Sequence, residues 1–285
     1  MNASSASAIV TADVTLGDHV LHVSTSGPRS GKPVLWLHGS GPGATALSNW
    51  ERVIDSLAIR FFNLAPDILG FGDSTHPVAP PRGIGRFAAL RCKSLLELLD
   101  ALALERVNIV GHSMGGLFAL LLAKHHPERV GKLILLGSAG APLPPGPSIV
   151  QLVKFYDDPS VSAMTALMRE FVYDPALFGH DLEAIATARM PRATREDVRR
   201  SHLATFDMTH PPEPRAPEWF ESITHETLLI HGREDRMLDV KSSIWLQAHL
   251  PNARLFVIPK CGHWTQIEHP QVFEHLVAAF MRGEL

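Results

Sequence analysis

Cysteine is scarce in this sequence, and long apolar runs are missing from it. Two cysteines, Cys92 and Cys261, occur among 285 residues, too few for the disulfide framework of a small secreted protein but compatible with a reducing compartment. No stretch reaches the roughly 18 apolar residues that a transmembrane helix needs. The first eight residues lack the basic and apolar regions of a signal peptide and are interpreted as a loose tail. We therefore expect a cytoplasmic protein with no membrane partner.

An excess of either charge is also missing, as are the common motifs for metals and nucleotides. Lys and Arg number 26 and Asp and Glu 29, for a net charge of −3, whereas nucleic-acid-binding proteins present a clustered basic face. The 16 histidines form no H-x-x-x-H pair beside acidic ligands. The glycine-rich loop at residues 39–43 lacks the Lys-Ser/Thr ending of a phosphate-binding loop. We expect no nucleic-acid partner, no metal and no cofactor.

Short β-like runs alternate with helical patterns along most of the chain. The runs are aliphatic or β-branched on both faces, which is typical of strands buried on both sides of a parallel sheet. The predicted strands are residues 34–37, 61–65, 107–110, 132–136, 227–230 and 254–258, and helical patterns include 87–102 and 115–125. The alternation predicts an α/β fold, with a mostly parallel sheet flanked by helices.

The alternation stops after Leu136. Residues 137–147 contain four prolines and three glycines, residues 148 to 209 are helical in pattern, and a second proline-rich stretch follows at 211–217. A helical insertion between two such stretches predicts a lid over the carboxyl edge of the sheet, where open α/β sheets bind ligands. We predict a core of residues 1–137 and 215–285 and a helical lid of residues 138–214.

Residues 111–115 form a G-x-S-x-G pattern between a predicted strand and a predicted helix. In this setting the pattern indicates a nucleophile elbow, a sharp turn that lifts the hydroxyl of Ser113 into a cleft. Backbone N–H groups at the start of the helix point into the same space and stabilise an oxyanion. We interpret Ser113 as the nucleophile and the N–H of Met114 as an oxyanion donor. A glycine-rich turn without catalytic function is the alternative.

A serine hydroxyl needs a base to take its proton and an acid to orient that base. In elbow-type hydrolases the acid precedes the histidine in the chain. Asp235 and His263 each lie in a loop directly after a predicted strand, so both are expected at the edge that carries Ser113. Glu234 and Asp239 are alternatives to Asp235.

The glycine-rich loop after the first predicted strand lies where such hydrolases place a second oxyanion donor. We assign that donor to the N–H of Ser40, with Gly41 as the alternative. A loop required only for close packing would also be rich in glycine. His231 lies inside a predicted strand and is interpreted as a hydrogen-bonded core histidine rather than a base.

Six groups of residues, spread over nearly the whole chain, together match a known family. They are His38-Gly39-Ser40-Gly41-Pro42-Gly43-Ala44 with Ser48-Asn49-Trp50, Gly70-Phe71-Gly72-Asp73-Ser74, Ser113-Met114-Gly115-Gly116, Phe171-Val172-Tyr173-Asp174-Pro175, Gly232-Arg233-Glu234-Asp235-Arg236 and Cys261-Gly262-His263-Trp264. In these segments the chain resembles the meta-cleavage-product hydrolases, α/β-hydrolases that break a carbon–carbon bond in aromatic degradation. The triad segments are shared by many α/β-hydrolases, whereas the 38–50 and 261–264 segments are more selective.

The resemblance implies a substrate of the 2-hydroxy-6-oxo-hexa-2,4-dienoate type. In this family the dienol ketonises, the remote ketone is hydrated or attacked, and the C–C bond breaks to give a 2-hydroxypentadienoate and a carboxylic acid. By position, Asn49 and Arg189 resemble the contacts to the substrate's carboxylate and 2-oxo groups, and Trp264 resembles the apolar wall. Arg192 competes with Arg189, and a solvated lid arginine is the alternative for both. The family analogy also implies a small-molecule carboxylate substrate and a homodimer.

One residue departs from the family pattern. The resembled enzymes have Asn just before the nucleophile, where its side chain contacts the substrate, and this chain has His112. A histidine there is common in esterases of the same fold and could bind a carboxylate or carry charge near neutral pH. A carboxylesterase is therefore the second hypothesis. A ligand receptor or a cofactor-independent oxygenase is the third, because fold alone does not define function.

Overall fold

The computed structural model describes residues 9–178 and 181–285. The predicted tail at the amino terminus lies outside these residues. In the described part of the chain, no helix combines the length and apolarity needed to cross a bilayer.

Eight strands form a single sheet at the centre of the fold. They are β1 Val10–Leu16, β2 His19–Ser26, β3 Lys32–Leu37, β4 Phe61–Pro66, β5 Val107–His112, β6 Val130–Leu136, β7 Thr227–Gly232 and β8 Ala253–Ile258. Their order across the sheet is β1-β2-β4-β3-β5-β6-β7-β8. Strand β2 pairs antiparallel with β1 and β4, and the other neighbours are parallel. The predicted α/β fold with a mostly parallel sheet is confirmed.

The sequence prediction was incomplete at both edges of this sheet. It missed β1 and β2, whose polar residues alternate with apolar ones because β1 is largely exposed at the edge. A tight turn joins these two strands, and Gly17 adopts a φ of 55° in it. Burial of β8 on both faces was also expected, and this was wrong. Phe256 and Val257 are 44% and 36% exposed because β8 is the last strand on its side.

Helices cover both faces of the sheet. They are α1 Ala46–Ser56, α2 Ile84–Ala101, α3 Met114–His125, α4 Gln151–Lys154, α5 Val161–Phe171, α6 Asp181–Ala193, α7 Glu196–Thr205, α8 Pro217–Glu221, α9 Lys241–His249, α10 Thr265–Glu268 and α11 Pro270–Arg282. Successive residues of the central strands belong to different apolar clusters. Leu35 and Leu37 pack with α2 and α3, whereas Trp36 packs with α1 and α11. This arrangement explains why the central strands are apolar on both faces.

Helices α4 to α7 lie between β6 and β7 and have an apolar cluster of their own. Leu152, Phe155 and Met168 belong to this cluster, together with Met237 and Trp264 from outside the insertion. The helical insertion therefore rests directly on the loops that follow β7 and β8. The boundaries at residues 138 and 214 remain a prediction.

A fully buried arginine in α2 joins the insertion to the core. Arg91 donates from Nε to the carbonyl of Leu69 at 2.9 Å and from Nη2 to Oγ1 of Thr205 in α7 at 2.9 Å. Its guanidinium lies 3.7 Å from the ring centroid of Phe87, a cation–π contact. Burial lowers the pKa of Arg91 to about 9. The side chain thus holds α2, the loop after β4 and the last turn of α7 together.

We expect Arg91→Ala to lower the free energy of unfolding by about 2–5 kcal/mol, the range for truncating a large buried side chain. Arg86→Ala on the exposed face of the same helix is expected to change it by less than about 0.5 kcal/mol. Urea unfolding of both variants measures the two values. Equal values for Arg91→Ala and Arg86→Ala would contradict the role assigned to Arg91.

Candidate active site

Ser113 lies on a strained turn between β5 and α3. Its φ is 54°, in the left-handed region that non-glycine residues rarely adopt. A Cβ at position 111 would lie 2.6 Å from the carbonyl oxygen of Gly115, and a Cβ at position 115 would lie 2.2 Å from that of Leu37. The two glycines of the G-x-S-x-G pattern are therefore required sterically. The strand–turn–helix context that the sequence predicted is present.

Asp235 is buried and contacts the ring of His263. Its Oδ2 lies 2.6 Å from Nδ1 of His263 and 3.2 Å from Nε2 of His231, and its Oδ1 accepts from the N–H groups of Met237 and Leu238 at 2.8 and 3.0 Å. Burial by itself would raise the pKa of Asp235. The charge of His263 and hydrogen bonds from His231 and His263 instead hold this pKa well below its usual range. The carboxylate is thus ionised and fixes His263 with Nδ1 toward it.

The other two candidate acids face away from His263. Oε2 of Glu234 accepts from the N–H of Cys261 at 3.1 Å, and Oδ1 of Asp239 accepts from the N–H of Lys241 at 2.9 Å. Of the three acids considered, the structure brings Asp235 to the histidine.

His231 is a buried histidine with hydrogen bonds to Oγ of Ser243 at 2.7 Å and the carbonyl of Leu238 at 2.8 Å. This confirms its interpretation as a hydrogen-bonded core residue. The sequence analysis did not predict the contact between His231 and Asp235. A local pattern does not show how the loop after β7 folds back against that strand.

Ser113 and His263 meet at the same edge of the sheet. The N–H of Ser113 donates to the carbonyl of Leu136 at 2.9 Å, and a Cβ on the next residue, Gly137, would lie 3.2 Å from Nδ1 of His263. The hydrogen bonds of the described residues include none between Oγ of Ser113 and His263. In hydrolases without substrate this bond is often long and shortens in the complex.

The loop after β3 packs against the nucleophile. A Cβ at position 39 would lie 3.2 Å from Cβ of Ser113 and 2.8 Å from Nδ1 of His112. Within the described chain, the N–H groups of Ser40 and Met114 have no protein acceptor. Both N–H groups are therefore free to bind an oxyanion, which fits the donor roles expected for them. Gly41 is still the alternative to Ser40 as the second donor.

Two buried side chains fix the shape of this loop. Asp67 accepts from the N–H of Ala46, at the start of α1, at 2.6 Å. Nε2 of His38 accepts from the N–H of Ile68 at 2.9 Å. Burial raises the pKa of Asp67 and lowers that of His38 to about 4. His38 is therefore uncharged at neutral pH and holds the loop to the end of β4.

Arg189 of α6 reaches the glycine-rich loop from the insertion. Its Nε donates to the carbonyl of Pro42 at 2.7 Å, and its Nη2 lies 3.2 Å from where a Cβ of Gly41 would be. Burial lowers the pKa of Arg189 to about 10, which leaves it charged at neutral pH. Arg192 instead pairs with Asp73 at 2.9 Å near the surface. Of the two arginines considered, Arg189 is the one that contacts the glycine-rich loop, which favours it over the alternative of a solvated arginine.

Asn49 and His112 contact each other beneath the loop. Oδ1 of Asn49 accepts from the N–H of Gly39 at 3.3 Å and lies 3.1 Å from Nδ1 of His112. Nε2 of His112 lies 3.0 Å from the carbonyl oxygen of His263. Burial and the charge of His263 hold the pKa of His112 well below its usual value. The lowered pKa favours the neutral ring, whose single N–H can donate to either Oδ1 of Asn49 or the carbonyl oxygen of His263.

The backbone of the histidine loop is held by the insertion. The carbonyl of Phe171, at the end of α5, accepts from the N–H of His263 at 2.7 Å and from that of Trp264 at 3.2 Å. The ring of Phe171 also stacks on Trp264, with centroids 4.7 Å apart. Sequence reasoning missed the carbonyl contact, because any residue type provides a backbone carbonyl. Trp264 belongs to the apolar cluster of the helical insertion, which fits the apolar wall implied for this residue.

The side chains of the described residues also bear on metal binding. Among the described residues, no three or more His, Cys, Asp or Glu side chains are grouped as they would be around a metal ion. The side chains that meet at this edge of the sheet are Ser113 on its turn, the pair of His263 and Asp235, and Arg189 of the insertion.

Comparison with known proteins places this arrangement in a family. The family described as "alpha/beta hydrolase fold" matches residues 32–270. The chain belongs to this α/β hydrolase fold family.

Within that family the chain belongs with the meta-cleavage product hydrolases. It is 37% identical to 2-hydroxymuconate semialdehyde hydrolase of Pseudomonas sp. (strain CF600), over 88% of this chain and 87% of the relative. It is 34% identical to 2-hydroxy-6-oxo-2,4-heptadienoate hydrolase of Pseudomonas putida, over 90% and 91% of the two chains. The structure of 2-hydroxy-6-oxo-6-phenylhexa-2,4-dienoate hydrolase from Rhodococcus sp. strain RHA1 matches with a TM-score of 0.92 and 35% identity. That match covers 97% of this chain and 99% of the other.

We expect stability to fall as pH drops below about 6.5, because buried histidines take up protons mainly after unfolding. Burial lowers the folded-state pKa of His38 to about 4 and that of His202 to about 3. At pH values between these and the ordinary histidine pKa of 6.5, the unfolded chain therefore binds more protons than the folded chain. Two such histidines are expected to lower the free energy of unfolding by about 2 kcal/mol between about pH 6 and 5. Urea unfolding across this range measures it.

His202→Gln is expected to reduce the change in the free energy of unfolding between pH 6 and 5. His275→Gln, at an exposed position, serves as the control. A slope that is the same in wild type and His202→Gln would contradict the assignment to buried histidines.

We expect Asp235→Asn to slow phosphonylation of Ser113 by a fluorophosphonate probe about 10⁴-fold, because the amide no longer stabilises the correct tautomer and charge of His263. Asp239→Asn is the matched control, since it also lies in the loop after β7 but contacts Lys241. Mass spectrometry of the labelled protein over time gives both rates. Retention of the wild-type rate in Asp235→Asn would exclude Asp235 as the orienting acid.

Proposed function

We propose that this protein is a serine-triad hydrolase that cleaves a C–C bond in a ring-fission product of the 2-hydroxy-6-oxo-hexa-2,4-dienoate type. The observation that carries the proposal is the charged Arg189, held at 2.7 Å to the carbonyl of Pro42 in the loop that packs against Ser113. An acidic substrate needs such a cation in a mostly apolar site. The relatives named above are hydrolases of 2-hydroxymuconate semialdehyde and of 2-hydroxy-6-oxo-dienoates.

The geometry supports the following catalytic roles. Ser113 is the nucleophile or orients the attacking water, His263 is the general base, and Asp235 orients and stabilises His263. His263 holds its Nδ1 toward Asp235 at 2.6 Å, so Nε2 is the nitrogen that exchanges protons with Ser113 and the substrate.

The reaction consumes one water. The dienol first ketonises: the 2-hydroxyl loses its proton and carbon 5 gains one, so the electrons of the bond between carbons 5 and 6 can later delocalise into the conjugated 2-oxo group. Attack of Ser113 or of water on the carbon of the remote ketone then gives an oxyanion, which the N–H groups of Ser40 and Met114 stabilise, with Gly41 as the alternative donor. Collapse of this species breaks the bond between carbons 5 and 6, and the leaving carbon fragment takes up a proton. After attack by Ser113 the acyl group stays on the serine until the water hydrolyses it, whereas after attack by water the acid forms directly. The products are a 2-hydroxypentadienoate and a carboxylic acid.

The remaining side chains define the substrate-binding region. Arg189 binds the carboxylate end of the substrate, Asn49 and His112 contribute uncharged polar contacts beneath the loop, and Trp264 provides the apolar wall. Since Asn49 and His112 already bond to each other, the substrate would compete for their polar atoms. We also propose that the substrate is a small carboxylate, that the protein forms a homodimer, and that the lid spans residues 138–214.

A carboxylesterase with the same triad is the second candidate. It is favoured by His112, which stands where the resembled family has Asn. In that case Ser113 forms an acyl-enzyme and the reaction shows burst kinetics.

The first test mixes the protein with a freshly prepared 2-hydroxy-6-oxo-dienoate and follows the loss of its visible dienolate colour. We expect rapid decay with wild type and a rate at least about 10³-fold lower with Ser113→Ala, because the triad acts as a unit. Ser94→Ala, a buried serine in α2, controls for the loss of a buried hydroxyl.

Two outcomes would decide against the proposal. Equal decay with wild type and Ser113→Ala would exclude a serine-dependent reaction. No decay with either, together with turnover of activated esters, would establish the carboxylesterase instead.

A further inference from the structure

Glu268, the last residue of α10, has a carboxylate that connects two segments distant in sequence. Its Oε1 accepts from the N–H of Gly262 at 2.8 Å, and its Oε2 accepts from the N–H of Tyr173 at 2.7 Å. Gly262 directly precedes His263, and Tyr173 belongs to the insertion, two residues after the end of α5. A single side chain therefore bonds the histidine loop and the insertion at the same time.

The two backbones that Glu268 joins are in direct contact. A Cβ at position 262 would lie 2.7 Å from the carbonyl oxygen of Phe171 and 2.8 Å from the nitrogen of Tyr173. The same Phe171 carbonyl accepts from the N–H groups of His263 and Trp264. Four hydrogen bonds, two through Glu268 and two through Phe171, thus fasten residues 262–264 to residues 171–173.

The core and the insertion bond different groups of the histidine loop. Strand β8 ends at Ile258, and the first half of the loop is tied to the core by Cys261, whose N–H donates to Glu234 at 3.1 Å and whose carbonyl accepts from the N–H of Glu234 at 3.0 Å. In the second half, the ring and the carbonyl of His263 contact Asp235 and His112 of the core, whereas the backbone N–H groups of residues 262–264 bond to Glu268 and Phe171. A shift of about 1 Å in a catalytic group is enough to lower a rate about 100-fold.

We propose that Glu268 is a positioning residue that couples the placement of the lid segment 171–173 to the placement of His263. The inference rests on the proposed function, in which His263 is the general base. Its consequence is that Asp235 orients the ring of His263 while the docked segment 171–173 sets the position of its backbone, so that displacement of this segment misaligns the base with Ser113.

Glu268→Gln tests the coupling with little change in shape. A carboxamide has one acceptor oxygen, so its NH₂ group must face the N–H of either Gly262 or Tyr173 and one of the two bonds is lost. Glu274→Gln is the matched control, because Glu274 is a partly buried glutamate in α11 whose carboxylate faces Arg52 at 3.7 Å. Gly262→Ala is an independent variant, since its Cβ would push the two backbones apart.

Three readouts are compared at a temperature where circular dichroism shows all variants folded. We expect Glu268→Gln to lower kcat on the dienoate about 10–100-fold with KM within about twofold, and to slow phosphonylation of Ser113 by a similar factor. Amide hydrogen exchange at residues 171–173 and 262–264 is expected to speed up together. Glu274→Gln is expected to match wild type in all three, and Gly262→Ala to resemble Glu268→Gln.

The outcomes separate the coupling from the proposed reaction. If wild type does not turn over the dienoate while phosphonylation and exchange change as expected, the substrate assignment fails and the coupling stands. Unchanged phosphonylation and unchanged exchange in Glu268→Gln would overturn the coupling, whatever the substrate. If Glu268→Gln does not fold, the same comparison is made with Glu268→Asp, whose shorter side chain keeps the charge but loses reach to one N–H.

Discussion

A buried carboxylate at the end of β7 is the constraint on which the rest of the site depends. Removing an ionised carboxyl group from water is costly unless hydrogen bonds replace the lost solvation. Asp235 meets this requirement with two ring nitrogens, from His263 and His231, and two backbone N–H groups. The conformation of the loop after β7 and the orientation of His263 are therefore linked, since neither can change without leaving a buried charge unsatisfied.

The helical insertion takes part in the site as well as covering it. Through Arg189 it brings a cation to the glycine-rich loop, through Thr205 it bonds the buried Arg91, and through Phe171 it holds the backbone of His263. These contacts reach two loops at the carboxyl edge of the sheet and helix α2. Substrate binding and base alignment are consequently properties of the insertion and the core together, and neither part contains the complete site.

Sequence reasoning worked best where local sterics or chain order restrict the answer. The elbow at Ser113 could be predicted because its glycines are required by contacts of the turn with itself and with β3. Asp235 and His263 could be selected because parallel strands deliver their following loops to one edge. The prediction was weaker for β1 and β2, which carry a mixed polar pattern, and for His112, whose ring is buried with its pKa held well below the usual value.

The sequence by itself determined the α/β architecture, the turn that carries Ser113 and the loops that carry the candidate acid and base, because each depends on residue types at short spacing or on strand order. Only the tertiary structure decided which of Asp235, Glu234 and Asp239 faces His263, and which of Arg189 and Arg192 faces the loop. It also decided that a backbone carbonyl and Glu268 hold the histidine loop. These choices depend on distances between segments far apart in the chain, which no local pattern encodes, and backbone donors and acceptors are the same in every residue.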